Sequence, residues 1–193
     1  MERQNGAERR AKNGEVAIPP SLAKLVEYLD SLDGRADLGT LERLLREARF
    51  ERADLEPWCV FGEKGYKRNT VRSTEWYELV CNCWRSSHCS PIHDHRGVSC
   101  SFKVVEGTGT EVAFELTDCG MARPVSSREL TEGQVAAADE TGIHLVANMK
   151  AEGEDLVTLH IYSPPIESMS TYRFADAVLE QTDVYTPASS ERA

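Results

Sequence analysis

Positive charge is scarce in this chain. Its 193 residues carry 22 lysines and arginines against 32 aspartates and glutamates, a net charge of −10. That balance argues against a general nucleic-acid binder or an anionic-membrane protein, both of which need a cationic surface. Long apolar runs are missing too: none approaches the roughly 20 residues of a spanning helix. The opening stretch, Met1 to Glu15, is polar and lacks the apolar core of a secretion signal. No Cys-x-x-Cys pair occurs among the six cysteines, and no Gly-x-Gly-x-x-Gly dinucleotide fingerprint is present. Cysteines without a secretion signal read as reduced thiols in a cytoplasm. The expectation is a cytoplasmic monomer that binds neither nucleic acid nor membrane.

What remains supports one globular unit. Hydrophobic residues make up 40% of the chain, enough for a real core at this length. Residues 1–17 are charged and expected as a disordered tail, with 18–193 as a single domain whose front, 18–62, is helical. Pro19-Pro20 opens a helix with Leu22, Leu25, Val26, Leu29 and Leu32 on one stripe, stopped near Gly34. A second helix follows Gly39, with Leu41, Leu44, Leu45 and Ala48 inward. Beyond Gly65 the helical period fades. Strand-like runs take over at 75–84, 100–106, 110–116, 134–138, 143–149 and 156–162, separated by turns such as Gly107-Thr108-Gly109. Short, evenly spaced strands predict a mainly β fold, a closed antiparallel barrel or jelly roll, behind N-terminal α-helices. Residues 174–179 fit either a strand or a helical turn.

Histidine is rare, and its placement is the main functional signal. Three of the five histidines lie in His93-Asp94-His95 and, about fifty residues on, at His144. In a strand His93 and His95 point the same way, which makes half a metal site, and His144 is the natural third ligand. A fourth, His160, sits in Thr158-Leu159-His160-Ile161-Tyr162, where alternation puts three polar groups on one face of an apolar strand. His88, beside Cys89 in a polar stretch, is expected at the surface. Cys81 and Cys83 share a strand face with Leu79 and read as small core residues rather than metal ligands.

The spacing resembles the cupin family. Its first motif, His-x-His followed by Glu and Gly, is matched by His93, His95, Cys100 and Gly107, with Cys100 where the usual glutamate ligand stands. The second motif is matched by Gly133, His144 and Asn148, with Asp139 and Thr141 replacing a proline and a glycine. Without the carboxylate, three neutral imidazoles leave a divalent metal its full charge, and a substrate thiolate can supply the missing negative charge.

Over roughly Gly65 to Met169 the chain is similar to the thiol dioxygenases, and within them to the cysteine dioxygenase family. Tyr66-Lys67-Arg68-Asn69, Pro91-Ile92-His93-Asp94-His95, Cys100, Gly142-Ile143-His144 and Leu159-His160-Ile161-Tyr162-Ser163-Pro164-Pro165 carry the resemblance. It implies a cupin fold, Fe(2+) on His93, His95 and His144, and oxidation of the L-cysteine thiol by dioxygen to the sulfinic acid. It implies Arg68, with Tyr66 beside it, as the site for the substrate carboxylate, and Thr158, His160 and Tyr162 as a relay that orients the tyrosine. In animal members a cysteine at the position of Cys100 forms a thioether with that tyrosine. The resemblance also implies a cis peptide before Pro164, and it places Met169 where the family has a second cysteine. Relatives acting on 3-mercaptopropionate have glutamine at the position of Arg68, so Arg68 favours cysteine. Competing readings are a dioxygenase of 3-mercaptopropionate or cysteamine, a zinc or manganese cupin isomerase, and a non-catalytic metal-binding cupin.

Overall fold

The polar alternation along Thr158, His160 and Tyr162 has a structural cause: the strand that carries it is buried on both faces. In the computed structural model, which describes residues 16–138 and 142–174, ten strands form two five-stranded sheets. In chain order they are β1 (Lys67–Ser73), β2 (Glu78–Trp84), β3 (Ile92–His93), β4 (Ser99–Glu106), β5 (Thr108–Leu116), β6 (Ala122–Thr131), β7 (Val135–Ala138), β8 (Ile143–Ala147), β9 (Leu156–Ser163) and β10 (Thr171–Tyr172). One sheet runs β1-β2-β9-β4-β7 and the other β10-β3-β8-β5-β6. Every pairing between these strands is antiparallel. This is the expected cupin jelly roll.

Helices cover the outside of the first sheet. A 3-10 turn at Pro20–Leu22 leads into α1 (Ala23–Asp30), then α2 (Leu38–Glu47), then a second 3-10 segment at Arg52–Trp58. Leu22, Leu25, Leu29, Leu41, Leu45 and Leu55 pack in one core with Leu79, Cys81, Val157, Leu159 and Ile161. On β2 and β9, one set of alternate residues therefore serves this outer core. The other set, Val80, Asn82 and Trp84 with Thr158, His160 and Tyr162, faces the opposite way. Lys103 ties the layers together: its buried ammonium donates to the Leu45 and Ala48 carbonyls at 3.2 and 2.7 Å. These are terminal carbonyls of α2, where cationic donors are favourable.

Several boundaries differ from the sequence reading. α2 begins before Gly39, because Asp37 caps it by accepting the Thr40 N–H at 2.8 Å. Ala48 is not an inward helical residue but the extended C-cap. The Arg52–Trp58 segment, and strands β1, β3, β6 and β10, are not anticipated by the periodicity. The β4–β5 reversal does rest on Gly107: its φ is +82°, and a Cβ there would lie 2.3 Å from the Asp155 carbonyl oxygen. Residues 1–15, 139–141 and 175–193, including motif positions Asp139 and Thr141, lie outside the described residues, as does most of the 174–179 segment.

Candidate active site

The His93–His95 pair is not presented by one strand. β3 ends at His93, and His95 enters from the turn that follows, closed by the Val98 N–H on the His95 carbonyl at 3.1 Å. His144 stands directly across from His93 in the β3–β8 pairing. The three residues are 8%, 0% and 5% exposed, and their ligand nitrogens all lie within 4.8 Å of one another. Ring centroids are 4.8 to 5.1 Å apart.

Acceptors behind two of the rings set their tautomers. His93 Nδ1 is 2.9 Å from the Pro91 carbonyl, which can only accept, so Nδ1 holds the hydrogen and Nε2 keeps its lone pair. His144 Nδ1 is likewise 2.8 Å from Glu111 Oε1. Glu111 is itself buried, and Arg128 donates to its other oxygen at 2.7 Å. Burial opposes ionisation of Glu111, but hydrogen bonds from His144 and Arg128 outweigh it and hold the carboxyl below its ordinary range. Burial, helped by repulsion from His144, pushes His93 down to about 4. A neutral imidazole with a fixed Nδ1–H and a free Nε2 is the form that a metal ligand requires, and His93 is held in it. The donor set therefore fits a divalent metal.

The first sheet supplies the rest of the cavity. Arg68 on β1 reaches over β2 until its guanidinium carbon stands 4.9 Å from the Tyr162 ring centroid. Its Nη2 donates to Glu78 Oε2 at 2.8 Å. Burial works against the Arg68 charge, but Tyr162, Glu78 and Tyr66 outweigh it and its pKa is raised. Tyr66 stacks flat on Trp84, centroids 4.1 Å apart, and both line the cavity. A hydrogen-bonded chain then runs along β9. Trp84 Nε1 donates to Thr158 Oγ1 at 3.0 Å, Thr158 Oγ1 lies 2.9 Å from His160 Nε2, and His160 Nδ1 lies 3.1 Å from the Tyr162 hydroxyl. Phe102 stacks on the His160 ring at 4.6 Å. Burial pushes His160 well below its ordinary pKa and Tyr162 well above. The imidazole is thus neutral and the phenol protonated.

A family model described as cysteine dioxygenase type I matches residues 11–175. The chain belongs to that family. Cysteine dioxygenase type 1 from Homo sapiens is 32% identical over 165 residues, with 82% of each chain covered. The Danio rerio protein of the same name is 30% identical over 166 residues, again with 82% of each covered. A solved Klebsiella pneumoniae protein with a double-stranded β-helix domain aligns at 15% identity and a TM-score of 0.49, covering 66% of this chain and 99% of that one. Membership makes this chain a thiol dioxygenase, and the three-histidine group gives it a site for a metal cofactor.

Other family-derived positions can be located in the same cavity. Cys100 on β4 is the direct cross-strand partner of Tyr162, and the two are buried in one cluster. Burial, with the Glu111 charge adding to it, raises the Cys100 pKa and keeps it a thiol. Met169 lines the cavity, and the Ser163–Pro164 peptide is cis. His88 departs from expectation: it is half-buried, and its Nδ1 accepts the Arg85 N–H at 3.1 Å to close a turn. Sequence reasoning missed Glu111, Glu78, Asn82 and Trp84. The one signal available for Glu111 was a carboxylate alternating into an otherwise half-apolar strand, Thr110 to Phe114.

Proposed function

We propose that this protein oxidises the thiol of L-cysteine with dioxygen to cysteine sulfinic acid, using Fe(2+) held by His93, His95 and His144. The observation that carries the substrate assignment is Arg68: a guanidinium in the same cavity as the three histidines, positioned over Tyr162. Ferrous iron there would supply redox-active coordination positions for a thiolate and dioxygen, which zinc lacks.

The chain's own groups do the rest. Arg68 spends one donor on Glu78, which fixes the plane of its fork and leaves other N–H groups for a carboxylate. Trp84 donates to Thr158, so the Thr158 hydroxyl hydrogen is free to go to His160 Nε2. That places the imidazole hydrogen on Nδ1, facing the phenol oxygen, and leaves the Tyr162 O–H to point at substrate. The Tyr66–Trp84 stack gives the cavity an apolar wall. All six cysteines are free, which fits a reducing cytoplasm, and no helix among the described residues is long and apolar enough to cross a membrane.

The test is oxygen uptake by iron-loaded protein with L-cysteine, with the sulfinate quantified. Stoichiometric sulfinate is expected, and zinc-loaded protein should be inert. Faster turnover of cysteamine, which has no carboxylate, would overturn the assignment.

Two further outcomes are expected. Glu111→Gln should lower metal affinity by about 10–100-fold, because an anionic partner makes the His144 ring a stronger donor. Competition with a chelator measures it, and unchanged affinity would mean that Glu111 serves only Arg128. The second concerns Cys100 and Tyr162. Directly opposed residues on antiparallel strands hold their Cβ atoms about 4.5–5.5 Å apart, within reach of a bond between thiol and ring. Joining them removes the S–H and one ring hydrogen, and dioxygen takes the two electrons. Intact mass after many turnovers should fall by about 2 Da, mapped to both peptides. An unchanged mass would show that Cys100 remains a thiol.

A further inference from the structure

A second group of ligand-type side chains lies behind the cavity, on the helix-covered side of β2. Cys81 and Cys83 occupy alternate positions there, and Cys59 closes in from the end of the Arg52–Trp58 segment. The three sulfurs all lie within 4.8 Å of one another. Cys59 to Cys81 is 3.9 Å and Cys81 to Cys83 is 4.0 Å. Cys81 and Cys83 are fully buried, as core residues should be, but the third thiol comes from 22 residues before Cys81 and is only half-buried.

The spacing and the ligand count together select an ion. Metal–thiolate bonds are about 2.3 Å, so three sulfurs in a plane around one ion stand about 4.0 Å apart. Two of the three distances already meet that requirement, and the third, Cys59 to Cys83, is within 4.8 Å. Zinc would need a fourth ligand, yet among the described residues the group holds three side chains, with no histidine or carboxylate. Soft thiolates without oxygen or nitrogen partners favour Cu(I).

The Asn69 side-chain amide donates to Cys83 Sγ at 3.6 Å, and the Cys83 thiol is 3.8 Å from the Trp58 carbonyl. Cys59, only half-buried while Cys81 and Cys83 are enclosed, gives an ion its way in from solvent. We propose that Cys59, Cys81 and Cys83 form a trigonal thiolate site for one Cu(I) ion, separate from the three-histidine group. Binding displaces thiol protons, so uptake strengthens as pH rises. The Arg52 charge offsets part of the excess negative charge. The ion would brace β2 from behind, the strand whose other face carries Asn82 and Trp84 into the catalytic cavity.

The experiment uses the full-length, as-purified protein with the exposed thiols removed by Cys89→Ser and Cys119→Ser. It is titrated anaerobically with Cu(I) against a chromogenic Cu(I) chelator, and its other metal content is measured before and after. One equivalent should bind, the original metal should stay, and X-ray absorption should show three sulfurs at about 2.3 Å. Cys59→Ser, at a half-exposed position that tolerates the change, should weaken Cu(I) binding by at least roughly 100-fold, since even outer partners of a ligand are worth about 10–100-fold. Cys83→Ala, checked for folding by circular dichroism, should do the same. Unchanged affinity in Cys59→Ser, nitrogen ligands in the absorption spectrum, or release of the original metal on copper uptake would each overturn the site.

Discussion

Protein carrying His144→Ala should retain no metal and oxidise no thiol. The cluster has three nitrogen donors and no carboxylate among its ligand atoms, so removing one ring takes away a third of the donor set. Glu111, the carboxylate behind His144, cannot step in. Glu111 bonds to the far nitrogen of His144, Nδ1, and its other oxygen is held by Arg128. Removal of a partner behind a ligand already costs about 10–100-fold in metal affinity, and loss of the ligand itself exceeds that. The variant should still fold, because Glu111 keeps Arg128 and the β5–β8 backbone pairing does not involve the ring. Metal content by mass spectrometry and oxygen uptake with cysteine are the two readouts. Glu111→Gln should fall between this variant and the unmodified protein in both. Full metal occupancy in His144→Ala, with the protein folded, would remove His144 from the ligand set.

The histidines were legible because metal ligation needs rare residues at set spacings, and Thr158, His160 and Tyr162 because polar alternation contradicts an apolar strand. The strands that escaped notice are those on which periodicity is weak. β1, Lys67–Ser73, and β6, Ala122–Thr131, are the edges of the two sheets and are largely exposed. Edge strands carry charge, proline and bulges to block further pairing. β6 has Pro124 near a register shift against β5, and β1 has its own shift between Thr70 and Arg72. Those devices erase the alternation that reveals a half-buried strand. Glu78, Glu111 and the Cys59–Cys81 contact were invisible for a different reason. Each acquires meaning only from a partner 10 to 33 residues away, brought in by sheet register or helix packing. His95 joins its neighbours by a route that alternation does not describe: a turn, not a strand, brings it to them.

Arg68→Ala should raise the Michaelis constant for cysteine by roughly 30-fold or more. A charge-assisted contact to a carboxylate is worth about 2 kcal/mol, and each 1.4 kcal/mol is about a factor of ten. The geometry adds a second penalty. Glu78 has only 16% of its side chain exposed and ion-pairs with Arg68 at 2.8 Å. Without the guanidinium its carboxylate is left unpaired next to the cavity and would repel an anionic substrate. The two effects are separable. Arg68→Ala with Glu78→Gln removes both charges and should recover part of the lost affinity. Glu78→Gln alone should keep the attraction but loosen the fork, lowering turnover more than binding. Arg68→Gln should shift preference toward 3-mercaptopropionate, as the glutamine of its relatives implies. Cysteamine is the internal control: with no carboxylate to lose, its Michaelis constant should not rise in Arg68→Ala. Equal rises for cysteine and cysteamine would mean that Arg68 acts by holding Tyr162, over whose ring it lies, and that the substrate carboxylate is bound elsewhere.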